Sequence, residues 1–230
     1  MCGRFVGYRS LEQLKAFFPI DRAAGEVAAS YNIAPLQEIL AIINHDGENR
    51  LEKFHWGLVP FWAKDISFGS KMINARAETV ATKPSFRNAF KKRRCLIIAD
   101  GFYEWAGTER EKQPVYLTVP DGSPFAFAGL WETWKKKEDA DSIYRSCTII
   151  TTEASESIGR IHHRMPVILK PDVYGTWLDP ENNDVTVLES MLKKDILTEL
   201  TGYPVSKQVN AVRHNDPSNI TPHTQMQLDI

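Results

Sequence analysis

A strand–turn–strand pattern near the start of the chain limits the possible folds most strongly. The apolar run Ile39–Ile43 leads to the pair Asp46-Gly47, and the residues from Leu51 to Trp56 then alternate in polarity. Because Asp-Gly accepts the positive φ angles of a tight two-residue turn, the pattern predicts an antiparallel hairpin. The fold must therefore accommodate an antiparallel sheet.

The remaining strand and helix signals do not alternate regularly. Strands are predicted at Cys95–Ala99, Val115–Val119, Phe125–Trp131, Ser146–Thr151 and Val167–Leu169, with Pro120-Asp121-Gly122 as a second hairpin turn. Helices are predicted after a capping box at Ser10–Gln13 and at Ser85–Lys92, Glu153–Arg160, Pro171–Leu178 and Val185–Leu200. A doubly wound parallel sheet requires regular alternation, so we expect an α/β chain of the α+β type, in which helices flank a curled, mostly antiparallel sheet. Residues 2–214 would form this single domain, and residues 215–230, which lack apolar periodicity, would form a loose tail.

Composition and charge exclude several classes of protein. Apolar residues make up 43% of the 230 residues, and no uninterrupted apolar run approaches the roughly 18 residues of a membrane span, so we expect a cytoplasmic protein without membrane contact. Cys95 and Cys147 lie in strand-like runs where buried, inert thiols are expected, so the sequence predicts no disulfide, no metal and no cofactor. The net charge of -1 gives no general attraction to nucleic acid, so such binding would require a local patch.

Cys2 is the first candidate functional residue. Removal of the initiator methionine would leave a cysteine with a free amine and a free thiol, a pair that can condense with an aldehyde and close a thiazolidine ring. The α-amine titrates near ~7.7–8.0 and a free thiol near ~8.5, so part of each is nucleophilic at neutral pH. The alternative is that Met1 is retained and that Cys2 is a small apolar residue.

Residues 56–62 have a composition suited to nucleic acid. They place Trp56, Phe61 and Trp62 around a glycine and a proline, on a segment too broken for an ordinary strand. Such aromatic residues can stack on bases. Core aromatics on a turn would give the same pattern.

A second such segment is the basic stretch 83–94, which holds six cations. Helical spacing places Arg87, Lys91 and Arg94 in one stripe able to meet phosphates, with Phe86 and Phe90 on another face. The alternative is a solvated helix face.

Three polar segments contain groups suited to acid–base chemistry. Residues 74–78 place an amide, a guanidinium and a carboxylate within five positions. Glu104 stands between two aromatic residues that would desolvate it and raise its pKa, although a surface glutamate is the alternative. His162 and His163 follow a predicted helix. Because adjacent histidines in a strand point to opposite faces, we expect one of them to be functional and the two not to share a metal.

Taken in order, these motifs resemble a known family. The similar segments are Cys2-Gly3-Arg4, Trp56–Pro60, Asn74–Glu78, Asp100–Trp105 and His162–Pro166. They are similar to motifs of the SRAP family, the SOS response-associated peptidases regarded as abasic-site processing proteins. The resemblance implies the SRAP fold with a barrel-like core. It also implies binding of single-stranded DNA at abasic sites, with association to the nucleoid during DNA damage. A one-to-one covalent adduct needs no second subunit, so we expect a monomer.

The resemblance also implies roles for individual residues. Cys2 would crosslink to the opened sugar after loss of Met1, and Asn74 would contact both Cys2 and the sugar. Glu104 would move protons at the amine, and His162 would open the sugar as an acid at neutral pH. The contacts to phosphates and bases would come from Arg4, Arg76, Arg164, Trp56, Phe61 and Trp62.

Other functions remain open from the sequence. A Cys-Gly start also occurs in class II glutamine amidotransferases, and a thiol hydrolase with an N-terminal nucleophile is therefore an alternative, acting on glutamine or, as a cysteine peptidase, on its own first peptide bond. The run that begins at Arg164 lacks the Gly and Asp of the stretch that grips glutamine in those enzymes. A non-catalytic single-strand binder would need only the aromatic residues and the cations. An imine that failed to close would give strand cleavage, a lyase side activity.

Overall fold

The computed structural model describes residues 2–108, 111–136 and 139–223, of which 139–142 are described by their backbone alone. Strands dominate this part of the chain: β1 (Phe5–Gly7), β2 (Arg22–Ala23), β3 (Ser30–Ile33), β4 (Glu38–His45), β5 (Glu48–Trp56), β6 (Asn74–Arg76), β7 (Arg94–Ala99), β8 (Gly101–Gly107), β9 (Lys112–Thr118), β10 (Phe125–Lys136), β11 (Asp139–Glu153), β12 (Arg164–Pro166), β13 (Ile168–Leu169) and β14 (Thr201–Pro204). The helices are short: α1 (Leu11–Lys15), α2 (Arg87–Lys92), α3 (Glu156–Gly159), α4 (Tyr174–Leu178) and α5 (Val185–Lys194). Single 3₁₀ turns cover Ile66–Lys71, Pro171–Val173, Lys207–Asn210 and Pro217–Ile220. None of the helices in the described residues combines the length and apolar character needed to cross a membrane.

The larger of two sheets closes on itself. Its strand order is β12-β11-β10-β7-β4-β5-β2, and β11 also pairs in parallel with the end of β5, so that β11, β10, β7, β4 and β5 form a ring. The smaller sheet has the order β14-β9-β8-β1-β3, with antiparallel neighbours. The expected α+β fold with a mostly antiparallel, barrel-like sheet is therefore confirmed.

Strand β7 shows why the central strands read as continuous apolar runs. Leu96 and Ile98 belong to a core that includes helix residues such as Phe90, whereas Ile97 belongs to a second core that includes Phe5 of the smaller sheet. Every residue of β7 is buried. A strand that is covered on both faces has no solvent side and so shows no alternation of polarity.

The local signals near the start of the chain predicted their elements correctly. The turn between β4 and β5 has positive φ angles at Asp46 and Gly47, of 54° and 81°, as the Asp-Gly pair required. Helix α1 begins at the predicted capping box. The Ser10 hydroxyl accepts from the Gln13 amide at 3.3 Å, and the Gln13 side chain accepts from the Ser10 amide at 2.9 Å.

Two predictions that depended on distant parts of the chain are wrong. Residues 120–122 do not form a hairpin turn, because β9 belongs to the smaller sheet and β10 to the larger one. Helix α5 ends at Lys194, not at residue 200. The amide of Leu197 donates to the carbonyl of Ile168 at 2.8 Å, so the following segment pairs with β13 instead of continuing the helix.

Residues 215–223, which were expected to belong to a loose tail, are mostly exposed but are anchored to the fold by side-chain amides. Asn219 is 1% exposed, and its Nδ2 donates to the carbonyl of His214 at 2.6 Å. The Oδ1 of Asn215 accepts from the amide of Tyr31 at 2.6 Å. Side-chain amides, not apolar periodicity, fix this segment, and for that reason its pattern was misleading. Residues 224–230 of the predicted tail lie outside the described residues.

Candidate functional site

Cys2 lies just before β1, inside the protein. Its side chain has no exposed surface. The carbonyl of Arg4 accepts from the amide of Tyr103 at 2.9 Å, which holds the start of the chain alongside β8. Burial raises the pKa of the Cys2 thiol, and the carboxylate of Glu104 raises this pKa further. The thiol is therefore neutral at physiological pH.

Asn74 contacts Cys2 from the first position of β6. This short strand pairs in parallel with β11, and Asn74 lies opposite Ile149. Its Nδ2 donates to the carbonyl oxygen of Cys2 at 2.9 Å. Its Oδ1 is buried and has no hydrogen-bond partner among the described residues. The amide thus fixes the start of the chain with its donor and offers an acceptor to a ligand.

Glu104 is buried in β8, with only 4% of its surface exposed. The predicted desolvation is therefore confirmed, and the alternative of a surface glutamate is not. Burial raises the pKa of Glu104, and the charge of His163 has a smaller effect in the opposite direction. A carboxyl group with a raised pKa is better able to accept and return protons near neutral pH.

His162 and His163 lie between α3 and β12, not within a strand. Their rings stack with 4.4 Å between centroids and 23° between planes. The expectation that they point to opposite faces is therefore wrong, because the alternation of a strand does not apply to them. Nδ1 of His162 lies 2.9 Å from the amide nitrogen and 3.0 Å from the carbonyl oxygen of Arg164, which fixes the orientation of the ring. Burial lowers the pKa of His162, so the neutral ring predominates at pH 7.

The three arginines predicted to hold phosphates differ in their surroundings. Arg76, at the end of β6, is exposed. Arg164 is buried, and its guanidinium donates to both carboxylate oxygens of Glu78, at 2.7 and 3.0 Å. Arg4 is half-buried and donates from Nη1 to Oδ1 of Asn32 at 2.6 Å and to a backbone carbonyl at 2.7 Å. Arg4 and Arg164 therefore hold distant segments of the chain together, and Arg76 is the most exposed of the three.

The three predicted stacking residues also separate into two groups. Trp56 is fully buried, and its Nε1 donates to the carbonyl of Ile73 at 2.9 Å. The prediction that Trp56 stacks on bases is wrong, because its side chain points into the core. The centroids of the Trp56 and Phe5 rings are 5.2 Å apart. Phe61 and Trp62 are 58% and 46% exposed and stay available to a ligand.

Two glycines fix the loop that carries these exposed aromatics. Gly57 has a φ of +142°, and a Cβ at this position would lie 2.6 Å from the carbonyl oxygen of Gly69. A Cβ at Gly69 would lie 2.5 Å from the carbonyl oxygen of Gly57. The amide of Gly57 also donates to the carbonyl of Cys147 in β11 at 2.8 Å. The backbones at Gly57 and Gly69 are in contact, and the hydrogen bond to Cys147 holds this loop against β11. Asn74 pairs with the same strand.

The cationic stripe predicted on α2 is shorter than expected. Arg94 is 3% exposed and donates to the carbonyls of Phe90 and Lys91 at 2.9 and 2.5 Å, so it caps the C-terminus of the helix. Burial lowers the pKa of Arg94 to about 10. Arg87 and Lys91 are exposed, whereas Phe86 and Phe90 are buried, as predicted.

Two polar residues that the sequence analysis left without a role support the site. Asn32, buried in β3, accepts from Arg4 and donates from Nδ2 to the carbonyl of His214 at 2.5 Å. Glu78 holds Arg164. The one sequence signal for a buried Asn32 was its position between Tyr31 and Ile33. The role of Glu78 had no local signal, because its partner Arg164 is 86 residues away in sequence.

The three cysteines are free thiols. Cys95 and Cys147 are buried, as predicted, and burial raises the pKa of each. Within the part of the chain that the structure describes, no three His, Cys, Asp or Glu side chains are grouped so as to hold a metal ion.

Fold and site together define an α+β protein with a closed sheet, in which a cysteine near the start of the chain is held by an amide and lies beside a buried carboxylate. The family model described as SOS response associated peptidase (SRAP) matches residues 1–212. The chain therefore belongs to the SRAP family, and the resemblance seen in its motifs is confirmed.

Several curated proteins are similar over most of their length. The chain is 45% identical over 226 residues to the abasic site processing protein YoqW of Bacillus subtilis (strain 168), covering 97% of this chain and 100% of that protein. It is 31% identical to the abasic site processing protein HMCES of Gallus gallus, over 86% of this chain and 67% of that protein. A solved structure from Bacteroides thetaiotaomicron superposes with a TM-score of 0.83 at 24% identity, over 96% of this chain and 100% of that one, and shows the same fold.

Proposed function

We propose that this protein processes abasic sites in single-stranded DNA by capturing the opened sugar on Cys2. The observation that carries the proposal is the contact of 2.9 Å between Asn74 and the carbonyl of Cys2, beside the buried Glu104. This arrangement holds one residue at the start of the chain in a fixed, water-poor position. The substrate class is supported by the names of the relatives, which are abasic site processing proteins.

The proposed reaction begins with removal of Met1, which frees the α-amine of Cys2. The amine attacks the aldehyde carbon of the ring-opened sugar, the aldehyde oxygen leaves as water, and an iminium forms. The sulfur of the Cys2 thiol then adds to the same carbon, and its proton passes to a base. One C–N bond and one C–S bond have formed, and one water has been released.

The surroundings of Cys2 suit these steps. A neutral thiol is sufficient because an iminium is a strong electrophile, and Glu104 would receive protons from the amine and the thiol. His162 would donate a proton to the sugar ring oxygen, and the protonated ring becomes more abundant as the pH falls. A closed ring has no imine to support β-elimination, so the strand would stay intact.

The DNA would be held by the exposed groups around Cys2. Arg76 lies two residues from Asn74 and would bind a phosphate, and Phe61 and Trp62 would stack on bases. Arg4 and Arg164 act on the site indirectly, since their guanidinium groups bind other parts of the chain.

The test uses an oligonucleotide with a single abasic site and a denaturing gel. Wild-type protein should give a shifted band without any reductant, and the intact mass of the adduct should lack Met1. Cys2→Ser keeps the amine but not the thiol, so its imine should survive denaturation only after borohydride reduction. The same oligonucleotide with an intact base is the control. A Cys2→Ser adduct that is equally stable without reductant would contradict the thiazolidine, and so would an adduct that retains Met1.

The proposed site is less suited to a thiol hydrolase. A cysteine that attacks amides must reach its thiolate form, and both burial and Glu104 raise the pKa of Cys2. We therefore expect no release of ammonia from glutamine and no digestion of casein.

Cys2→Ala, which has an amine and no thiol, should lose the stable adduct and retain at most weak strand cleavage.

A further inference from the structure

A second surface next to the aromatic loop combines exposed cations with an exposed ring. One hollow, which we call the α2 surface, is lined by Phe61, Asn88, Lys91, Lys92, Arg93 and Glu132. Phe61 is 58% exposed, and both lysines are exposed at the C-terminal end of α2. The proposed reaction uses neither lysine.

Only part of the positive charge of the α2 surface is neutralised locally. Arg93 is paired with Glu132 at 2.7 Å. Within the described ranges, by contrast, no carboxylate forms an ion pair with Lys91 or Lys92. Helix α2, with the sequence RNAFKK, contains no acidic residue. Because the whole chain carries a net charge of only -1, this positive charge is a local feature.

Contacts along the chain connect this surface to Cys2. Asn74, which holds Cys2, follows Ile73, and the carbonyl of Ile73 accepts from the ring of Trp56. Trp56 begins the glycine-anchored loop that ends in Phe61. Phe61, at the far end of this loop, is also the residue that lines the α2 surface together with Lys91 and Lys92.

We propose that the α2 surface binds the DNA that flanks the lesion, with Phe61 stacked on a base and Lys91 and Lys92 on neighbouring backbone phosphates. This inference rests on the proposed function and names where the flanking strand lies. An exposed ring beside unpaired cations is the combination that grooves for single strands use, since each nucleotide offers a face to stack on and a phosphate. Lysine binds phosphate as a point charge, so the contact would not depend on sequence.

The experiment compares Lys91→Glu/Lys92→Glu with Lys193→Glu/Lys194→Glu. The control pair is also exposed and also lies in the last turn of a helix, α5. The probes are single strands with a central tetrahydrofuran, an abasic analogue without an aldehyde, and with either two or ten nucleotides on each side. Anisotropy should show an affinity loss of about ten-fold for the α2 variant on the long probe, little loss on the short probe, and none for the control variant. The slope of log affinity against log salt should fall by about 1.4 on the long probe, since two phosphates lose their partners.

Three results would overturn the inference: equal losses on both probes, equal losses in the control variant, or no loss on either probe. The last result would agree with an acidic protein segment as the occupant of this surface. Lys91→Gln/Lys92→Gln should show a smaller loss in the same pattern, which separates lost attraction from any effect of the introduced acids on the helix end. Crosslinking of the short reactive oligonucleotide is measured alongside. If the wild type forms no adduct, the proposed function fails, whereas an adduct without dependence on flank length overturns only the α2 surface.

Discussion

Glu104 is a carboxyl group held where its charged form is disfavoured. Its pKa is raised because it is buried, and its charge in turn raises the pKa of Cys2, the residue proposed to react. Groups of this kind are often kept for function at a cost in stability. Replacement by an uncharged group of the same shape should therefore separate the two properties.

We predict that Glu104→Gln makes the protein more stable and slower. In the folded state the pKa of Glu104 lies above its unfolded value near 4.5, so the folded state binds more protons between these two values. The wild type thus loses stability as the pH rises through this window, and the variant does not. The variant should melt a few degrees higher than the wild type at pH 7 and about equally at pH 4.

The matching measurement is the rate of crosslinking, which should fall while DNA affinity stays unchanged. Glu199→Gln, at an exposed position, is the control and should alter neither property. A variant that melts at the wild-type temperature at both pH values would show that Glu104 is not electrostatically strained. If Glu104→Gln crosslinks at the wild-type rate, the Glu104 carboxylate does not transfer protons in the reaction.

Single residues were predictable where the chemistry is local. The aromatic residues on either side of Glu104 predicted its burial, and the spacing of Phe86 and Phe90 predicted the buried face of α2. Trp56 and Arg94 were not predictable in this way. Each lies at an element boundary, where one position decides between core and solvent, and their partners come from distant segments.

The loop between β5 and β6 depends on the contact between two glycines. We predict that Gly69→Ala lowers the melting temperature by several degrees, about 1–3 kcal/mol, because its Cβ would lie 2.5 Å from the carbonyl oxygen of Gly57 and force the backbones apart. Binding of single strands should weaken as well, since Phe61 and Trp62 would be displaced.

Gly175→Ala is the matched control, because a Cβ there meets nothing within 4 Å inside α4. It should be neutral or stabilising, by about 0.4–1 kcal/mol. Calorimetry on both variants separates the steric effect from the general effect of removing a glycine. Equal melting temperatures for the two would contradict the proposed role of the backbone contact.

Elements were predictable when their signals are short-range. The β4–β5 turn and the α1 cap each involve residues within a few positions of one another, and both are as predicted. The end of α5 and the connection at residues 120–122 were wrong, because sheet pairing over long distances decides them. Propensity alone does not contain that information.

At the scale of the whole molecule, residues 205–222 contact segments from the start of the chain. The carbonyl of His214 accepts from Asn32, which in turn binds Arg4, and Asn219 donates to His214. Val205 and Pro222 form a further bridge. Arg4 near the start of the chain is thus connected to residues 214–219 through side-chain amides.

We predict that a chain ending at residue 214 melts several degrees lower than one ending at residue 223. The longer chain retains every contact just described, whereas the shorter one loses Asn215, Asn219 and the bridge to Pro222. Thermal unfolding of the two purified chains checks this prediction. Coincident curves would mean that the segment is a passive cover.

The closed ring of strands was foreseen only in outline. Irregular alternation of strand and helix signals predicted a curled antiparallel sheet, but the parallel pairing of Cys147 with Trp56 that closes it joins segments about 90 residues apart. The same pairing also positions the start of the aromatic loop, because Trp56 is the last residue before it.

The interlocked backbones of Gly57 and Gly69 have a consequence for recognition. The close backbone contact restricts the loop that carries Phe61 and Trp62, so both exposed rings are held in position without a ligand. Preorganised contacts of this kind bind with little entropic penalty and fast docking. Selectivity for a gap in the base stack would then come from the rigidity of the receptor, with the flexible single strand adapting its shape to the protein.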